Sequence, residues 1–134
     1  MNSPIEALKN IVKRLRAPDG CPWDIEQTPQ TLTRHIIEEA YELVDAIEQN
    51  ETNHIMDELS DQLLHVVMIS EMMKESNKFT FDDVANHCVN KMIRRHPHVF
   101  GSTAAKTTSD VEKNWEQIKA SEKSNNGTLD GIPQ

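Results

Sequence analysis

Residues 35–64 decide the fold of this chain, and they read HIIEEAYELVDAIEQNETNHIMDELSDQLL. Apolar residues recur at steps of three and four on both sides of the polar run 49–53. Such spacing places side chains on one face of an α-helix. The apolar stripes of the two predicted helices are Leu32, Ile36, Ala40, Leu43 and Ile47, then Ile55, Leu59, Leu63, Val66 and Met73. The short polar connection predicts that the two helices are antiparallel neighbours.

Further helices are predicted on both sides of this pair. A first helix is predicted from about Pro4 to Arg16. The segment 17–29, which contains three prolines and a glycine, is predicted to be an ordered loop. Thr31 is the expected cap of the second helix. The third helix is expected to stop around Ser76-Asn77. A fourth helix starts at Thr80 or Asp82 and ends before Pro97, and a thinner fifth helix carries Val111, Trp115 and Ile118.

The composition agrees with an all-α protein. The chain has 134 residues, only 4 glycines and 4% aromatic residues, which favours helices over a turn-rich sheet. This length suits a single domain. We therefore predict a bundle of about four to five helices over residues 1–120, followed by a polar, mobile tail over residues 121–134.

Charge and hydropathy limit the classes of partner. No apolar run approaches the roughly 20 residues that a membrane span needs, and the N-terminus lacks a signal-peptide core. Two cysteines, Cys21 and Cys88, are expected to be reduced structural thiols. The net charge of −8 argues against binding a nucleic acid polymer. A cytoplasmic protein that binds neither membranes nor nucleic acid polymers is expected.

Acidic side chains recur at helical spacing on the second and third predicted helices. Glu39 and Glu42 are three residues apart, Glu38 and Glu42 are four apart, and Glu58 and Asp61 repeat the pattern on the next helix. Antiparallel packing can bring both sets to one seam, where their mutual repulsion would be relieved by a hard divalent cation such as Mg²⁺. The alternative is an ordinary solvated helix face, which is what most acid-rich helix spacing amounts to.

Basic and aromatic residues in the C-terminal third suit a phosphate chain and a nucleoside. Lys91 lies three residues from Arg94 and four from Arg95, so a cationic edge can face phosphates, although these residues can instead complement a helix dipole. Trp115 is followed by Lys119 four residues on, which sets an aromatic face beside a cation. Trp23 is expected in the core rather than on a base. His65 is expected to pack or to support the metal ligands rather than to catalyse, and His96 and His98 are expected to order the turn after the fourth helix rather than to bind metal.

The ordered set of motifs resembles the MazG family of nucleotide pyrophosphohydrolases. That family has a Glu-Glu-x-x-Glu pattern followed on the next helix by Glu-x-x-Asp, which here are residues 38–42 and 58–61. The flanking segments LRAPDGCPWDIEQT, KMIRRHPHVFG and NWEQIK also look like the family, and the resemblance covers residues 5–133. One departure is Ser60, where the family usually has glycine.

The resemblance implies roles for individual residues. Glu39, Glu42, Glu58 and Asp61 match the family's magnesium ligands, with Mn²⁺ as a substitute metal, and Glu38 matches an acid that orients or deprotonates the attacking water. Lys91, Arg94 and Arg95 match a phosphate-contacting stretch, and Trp115, with Lys119 nearby, matches a nucleotide-contacting tryptophan. The implied fold is a dimerising helical bundle.

The implied reaction is Mg²⁺-dependent hydrolysis of a nucleoside triphosphate to the monophosphate and pyrophosphate, which would serve nucleotide-pool housekeeping. Two other functions fit the same residues. A catalytically silent nucleotide-binding or regulatory module would bind nucleotide without releasing pyrophosphate. A structural interaction domain would respond to Mg²⁺ neither in nucleotide binding nor in thermal stability.

Overall fold

The computed structural model describes residues 3–126 and contains seven helices and no strand within that range. The helices are α1 (Pro4–Leu15), α2 (Pro22–Glu26), α3 (Pro29–Gln49), α4 (Thr52–Glu75), α5 (Phe81–Arg95), α6 (Pro97–Phe100) and α7 (Thr108–Asn126). The prediction of an all-α protein is confirmed. The two helices not predicted are short: α2 lies in the segment expected to be a loop, and α6 follows Pro97.

The chain divides into two compact units between Val84 and Ala85, inside α5. The first unit holds α1 to α4 and the first residues of α5. The second unit holds the remainder of α5 together with α6 and α7. The single domain expected over residues 1–120 stays a prediction.

Helix α3 begins two residues before the predicted cap. Thr28 is its N-cap and accepts a hydrogen bond from the Thr31 backbone N–H, while the Thr31 hydroxyl accepts one from the Thr28 backbone N–H. Pro29 occupies the first helical position, where it needs no hydrogen-bonded N–H. Thr31 therefore belongs to a reciprocal capping box rather than capping the helix itself.

Helices α3 and α4 pack closely against each other and form a hairpin. Asn50 ends α3 in the left-handed region at φ 57°, and its N–H donates to the Ile47 carbonyl. Helix α4 starts two residues later, at Thr52. This short connection holds the two acidic motifs on adjoining antiparallel helices.

The core of the first unit lies between α1, α3 and α4. Five residues form its buried cluster: Val12, Leu32, Val67, Met68 and Met72. Partly buried side chains of the same unit surround it, including Ile5, Leu8, Ile36, Leu64 and Phe81. Burial of this apolar surface drives the three helices together.

The predicted apolar stripe of α4 was wrong about which side chains are buried. Leu59, Leu63 and Val66 are 52%, 42% and 44% exposed, whereas Met68 and Met72 are each 4% exposed. Ile47 of the α3 stripe is also 54% exposed. Helix α4 is apolar on more than one face, and α1 and α3 cover only one of them.

The segment before α3 is held in place by Arg16. Its guanidinium donates to the backbone carbonyls of Asp24 and Gln27 and forms two hydrogen bonds with the Glu75 carboxylate. Gln27 additionally donates from its side chain to the Trp23 carbonyl. The proline-rich segment is therefore fixed onto the ends of α1 and α4.

Helix α7 of the second unit starts with two capping hydrogen bonds, made by the side chains of Thr107 and Asp110. The Asp110 N–H donates to the Thr107 hydroxyl, and the Asp110 carboxylate accepts from the Lys106 N–H. Helix α7 continues to Asn126, into the segment predicted as a mobile tail. Residues 127–134 of that predicted tail lie outside the described residues.

Among residues 3–126, no helix combines the length and the apolar character that crossing a membrane requires.

Candidate functional site

Three acidic side chains of the first unit converge between α3 and α4. Glu39, Glu58 and Asp61 each place a carboxylate oxygen within 4.8 Å of the others. Glu58 and Asp61 lie three residues apart on α4, and Glu39 faces them from α3. We call these three residues the carboxylate cluster.

Two oxygens of this cluster lack any protein partner. Glu58 is only 6% exposed, and within residues 3–126 neither its Oε2 atom nor Oε2 of Glu39 has a hydrogen-bond partner, although both atoms are buried. A buried charged oxygen without a partner is costly, because desolvation is not repaid by any contact. The arrangement is therefore one that a bound cation would complete.

Burial and mutual repulsion shift the titration of the cluster. Burial, followed by the negative charges of Asp61 and Glu42, raises the pKa of Glu39 to about 7. Burial also raises the pKa of Glu58, with Glu42 and Asp61 acting in the same direction. Protons and a divalent cation therefore compete for these carboxylates.

His54 supports Glu58 from the preceding turn of α4. Its Nε2 atom lies 3.4 Å from Oε1 of Glu58, and its charge acts to lower the pKa of that carboxyl. His54 was not among the residues predicted from the sequence, although its spacing of four residues from Glu58 was a usable signal. His54 orients one oxygen of Glu58 and leaves the other oxygen in the cluster.

The two other predicted acids of α3 are more exposed. Glu42 borders the cluster, as its effect on the pKa of both Glu39 and Glu58 indicates. Glu38 is turned toward Arg34, with 3.9 Å between its Oε1 atom and the arginine Nε atom, and its side chain is 60% exposed. The structure thus brings together three of the four predicted metal ligands, and the fourth, Glu42, lies at the edge of the cluster. Glu38 forms an exposed ion pair instead.

The residues of the cluster fit a hard divalent cation. The oxygen-only donor set, the two buried oxygens without partners and the raised pKa values all favour occupation by positive charge. Mg²⁺ and Mn²⁺ accept such carboxylate donors and keep several water ligands. The alternative interpretation of these acids as an ordinary solvated helix face does not hold for Glu58, which is buried.

Two histidines lie one helical turn from the carboxylate cluster, on the same two helices. His35 lies four residues before Glu39, and His65 lies four residues after Asp61. Burial, and then the nearby His35, lower the pKa of His65. Trp23 contacts the His35 ring edge-on at 6.0 Å between centroids and is 51% exposed, so its prediction as a core residue was wrong.

In the second unit, the two predicted phosphate-contacting arginines share one carboxylate. Arg94 Nε and Arg95 Nη2 donate to the two oxygens of Glu122 at 2.5 and 2.8 Å. Glu122 was not identified from the sequence, because 27 and 28 residues separate it from the arginines and no local spacing connects them. Within residues 3–126, Lys91 and Lys119 form no ion pair.

Trp115 lies among basic and imidazole side chains of the second unit. The Arg95 guanidinium is 5.4 Å from its ring centroid, and the His96 ring meets it edge-on at 5.1 Å. His96 also hydrogen-bonds through Nδ1 to the Met92 carbonyl at 2.7 Å. His96 therefore orders the end of α5, consistent with the structural role expected from the sequence.

Comparison with known proteins gives one family match. The model of the MazG nucleotide pyrophosphohydrolase domain matches residues 27–100. A nucleoside triphosphate pyrophosphohydrolase of Escherichia coli K12 is 42% identical over 134 residues, covering 97% of this chain and 51% of that protein. The nucleoside triphosphate pyrophosphohydrolase/pyrophosphatase MazG of Thermotoga maritima is 43% identical over 118 residues, covering 88% of this chain and 45% of that protein.

The chain therefore spans about half the length of these curated relatives. It spans 26% of the uncharacterized protein YabN of Bacillus subtilis, to which it is 44% identical over 128 residues, 94% of this chain. A crystal structure of a MazG-related protein from Thermotoga maritima superposes with a TM-score of 0.70 at 22% identity, covering 86% of this chain and 98% of that one. That likeness concerns the fold.

Proposed function

This chain belongs to the MazG nucleotide pyrophosphohydrolase domain family, and we propose that it hydrolyses nucleoside triphosphates between the α- and β-phosphates. The products are a nucleoside monophosphate and pyrophosphate. The names of the E. coli and T. maritima relatives support the reaction class. The observation that carries the proposal is the carboxylate cluster, with its two buried oxygens that have no hydrogen-bond partner among residues 3–126.

We propose Mg²⁺ as the ion that completes the cluster, with Mn²⁺ as a substitute. Glu39, Glu58 and Asp61 would hold it, and Glu42 at the edge of the cluster would be the fourth ligand. Bound there, the ion would neutralise phosphate charge and acidify a water molecule. Glu38 or a cluster carboxylate would accept the proton of the attacking water.

Residues of the second unit are proposed to bind the substrate. Lys91, Arg94 and Arg95 supply positive charge for the phosphates, and Trp115 with Lys119 contacts the nucleoside. Arg95 is the best supported of these, because its guanidinium already adjoins the Trp115 ring. Planar guanidinium groups recognise phosphate oxygens with two parallel hydrogen bonds.

A second copy of this chain is the proposed partner. Each helix of the hairpin carries an exposed apolar stripe at helical spacing, formed by Ile37, Tyr41, Val44 and Ile47 on α3 and by Met56, Leu59, Leu63 and Val66 on α4. Monomeric proteins rarely leave so many large apolar side chains exposed together. Two hairpins packed through these stripes would form a four-helix arrangement with closed twofold symmetry.

The test is release of monophosphate and pyrophosphate from a panel of ribo- and deoxyribonucleoside triphosphates, with Mg²⁺ and with chelator. The wild-type chain is compared with Asp61→Asn and with Asp57→Asn, an exposed aspartate on the same helix. Metal-dependent release that is lost in Asp61→Asn and kept in Asp57→Asn supports the proposal. Metal-dependent nucleotide binding without release would instead assign a silent regulatory module.

A further inference from the structure

Glu122 of α7 is the shared anionic partner of two predicted phosphate-binding residues. Its carboxylate accepts from Nε of Arg94 at 2.5 Å and from Nη2 of Arg95 at 2.8 Å. Its side chain is 17% exposed, as is that of Arg95, whereas Arg94 is 50% exposed. The three side chains form one ion-paired group, which we call the Glu122 triad.

The triad is attached to the proposed nucleoside-contacting residue. Arg95 lies 5.4 Å from the Trp115 ring centroid, and its Nε atom is buried without a hydrogen-bond partner among residues 3–126. The Arg95 guanidinium thus adjoins Trp115, and its Nη2 atom donates to Glu122. Arg94, the more exposed of the two, has only its Nε atom engaged by Glu122.

Glu122 stays ionised beside the two arginines at neutral pH. Hydrogen bonds from Arg95 and then from Arg94 lower the pKa of Glu122 to about 2. The carboxylate therefore remains anionic at neutral pH and cancels one of the two positive charges. A carboxylate and a phosphate use the same guanidinium N–H donors, so they compete for them.

We propose that Glu122 is a positioning residue that sets nucleotide affinity: it holds Arg94 and Arg95 as an internal anion, and the substrate's phosphates bind by displacing it. The inference rests on the proposed function, because it takes the two arginines as phosphate ligands. It gives the site a built-in competitor, which lowers the affinity of every anion that uses these donors, the substrate's phosphates included. Inorganic phosphate, with fewer charges and fewer oxygen atoms than a polyphosphate, displaces Glu122 least readily.

The experiment measures binding of an NTP analogue that cannot be cleaved between its α- and β-phosphates, in the presence of Mg²⁺, by calorimetry. Glu122→Gln removes the charge and keeps the shape, so the dissociation constant is expected to fall roughly threefold or more. Glu112→Gln, which removes one charge from the same helix, is the matched control and is expected to bind like wild type. Glu122→Asp, which keeps the charge, is expected to remain near the wild-type value.

Steady-state kinetics of wild type and Glu122→Gln give a second measurement. KM should fall in Glu122→Gln while kcat changes less, because the residue acts on binding through the arginines. An unchanged or increased dissociation constant in a folded Glu122→Gln variant would overturn the proposal. Because the analogue is not hydrolysed, this result is independent of whether the wild-type chain releases pyrophosphate, which tests the proposed function separately.

A measurement on the unmodified protein covers the case in which the variant misfolds. The Nε–H resonances of Arg94 and Arg95 are followed by NMR while the same analogue is added to the wild-type chain. Displacement of Glu122 is expected to shift the Arg94 resonance, since its Nε–H loses the carboxylate. Saturating analogue that leaves the Arg94 resonance in place would show that Glu122 is not displaced.

Discussion

Glu39 has an unusual environment for a carboxylate on a helix surface. Its neighbours across the hairpin are two more acids, one of them buried, and one of its own oxygens has no hydrogen-bond partner in the described chain. Burial and these charges raise its pKa to about 7. The same side chain is thus neutral or anionic near physiological pH according to whether a cation is bound.

This raised pKa predicts how the metal-free protein depends on pH. Because folded Glu39 keeps its proton up to about pH 7 and the unfolded chain releases it near pH 4.5, its favourable contribution is full below about pH 4.5. That contribution is lost as the pH rises to about 7. In chelator, the melting temperature of wild type relative to Glu39→Gln is expected to fall over this interval.

The comparison with Glu39→Gln is needed because His65 acts in the opposite direction. Burial, followed by the charge of His35, lowers the pKa of His65, so its contribution to stability is lost as the pH falls below its unfolded value. Only the difference in melting temperature between wild type and Glu39→Gln isolates the contribution of Glu39. A difference that stays constant from pH 4.5 to 7.5 would contradict the assignment.

A second prediction at the residue scale concerns the effect of Glu58 on thermal stability and on stabilisation by Mg²⁺. Neutralising it in Glu58→Gln removes repulsion with Glu42 and Asp61, so the metal-free protein is expected to melt at a higher temperature than wild type at pH 8. The variant should also lose most of the rise in melting temperature that millimolar Mg²⁺ gives wild type. Calorimetric melting with and without Mg²⁺ measures both effects, and equal Mg²⁺ stabilisation of the two proteins would rule out Glu58 as a ligand.

At the scale of the helices, the connection between α3 and α4 sets which residues face each other. Asn50 adopts φ 57°, a conformation that side chains with a Cβ atom tolerate poorly unless they are Asn or Asp. Asn50→Ala is expected to lower the free energy of unfolding by about 1 kcal/mol, and Asn50→Gly is expected to be close to neutral. Urea denaturation distinguishes them, and equal midpoints for the two variants would refute this account.

Arg16 connects helix α2 to helix α4. Arg16, whose side chain is 10% exposed, joins the Asp24 and Gln27 carbonyls to Glu75 on α4. Arg16→Met is expected to cost about 2 kcal/mol, less than for a fully buried pair, because Glu75 is 40% exposed.

Hydrogen exchange gives a local readout of the same change. Amide protection in residues 22–28 should fall before that of the α3 and α4 interiors. Lys13→Met, also in the last turn of α1, serves as the control. Unchanged protection of residues 22–28 in Arg16→Met would mean that other contacts hold this segment.

At the scale of the whole molecule, the exposed stripes of α3 and α4 are the proposed contact between two copies of the chain. Leu59→Glu places a charge within the proposed contact between two copies, where its desolvation would oppose association. Wild type is expected to sediment at twice the chain mass and Leu59→Glu at the chain mass. Gln30→Glu, at an exposed position near the start of α3, is expected to leave the mass unchanged. Wild type sedimenting as a monomer would remove the proposed partner.

Local patterns along the chain were sufficient for the helices and for part of the candidate site. Apolar spacing located α1, α3, α4, α5 and α7, because helical periodicity is a property of neighbouring residues. The acids at residues 39, 58 and 61 were candidates for the same reason, since spacing of three residues and a short connection place them on facing sides. The boundaries that were missed, such as the start of α3, depended on hydrogen bonds of Thr28 and Thr31.

Only the tertiary structure decided which of these side chains are buried and which partners they meet. Helix α4 has apolar residues on more than one face, and contact with α1 and α3 buries Met68 and Met72 while leaving Leu59 and Leu63 exposed. Packing between helices buries Glu58 and leaves one of its oxygens without a hydrogen-bond partner in the described chain. The pairing of Arg94 and Arg95 with Glu122 likewise joins residues on different helices. Helical periodicity reaches only about four residues along the chain, whereas these contacts arise when separate helices pack together.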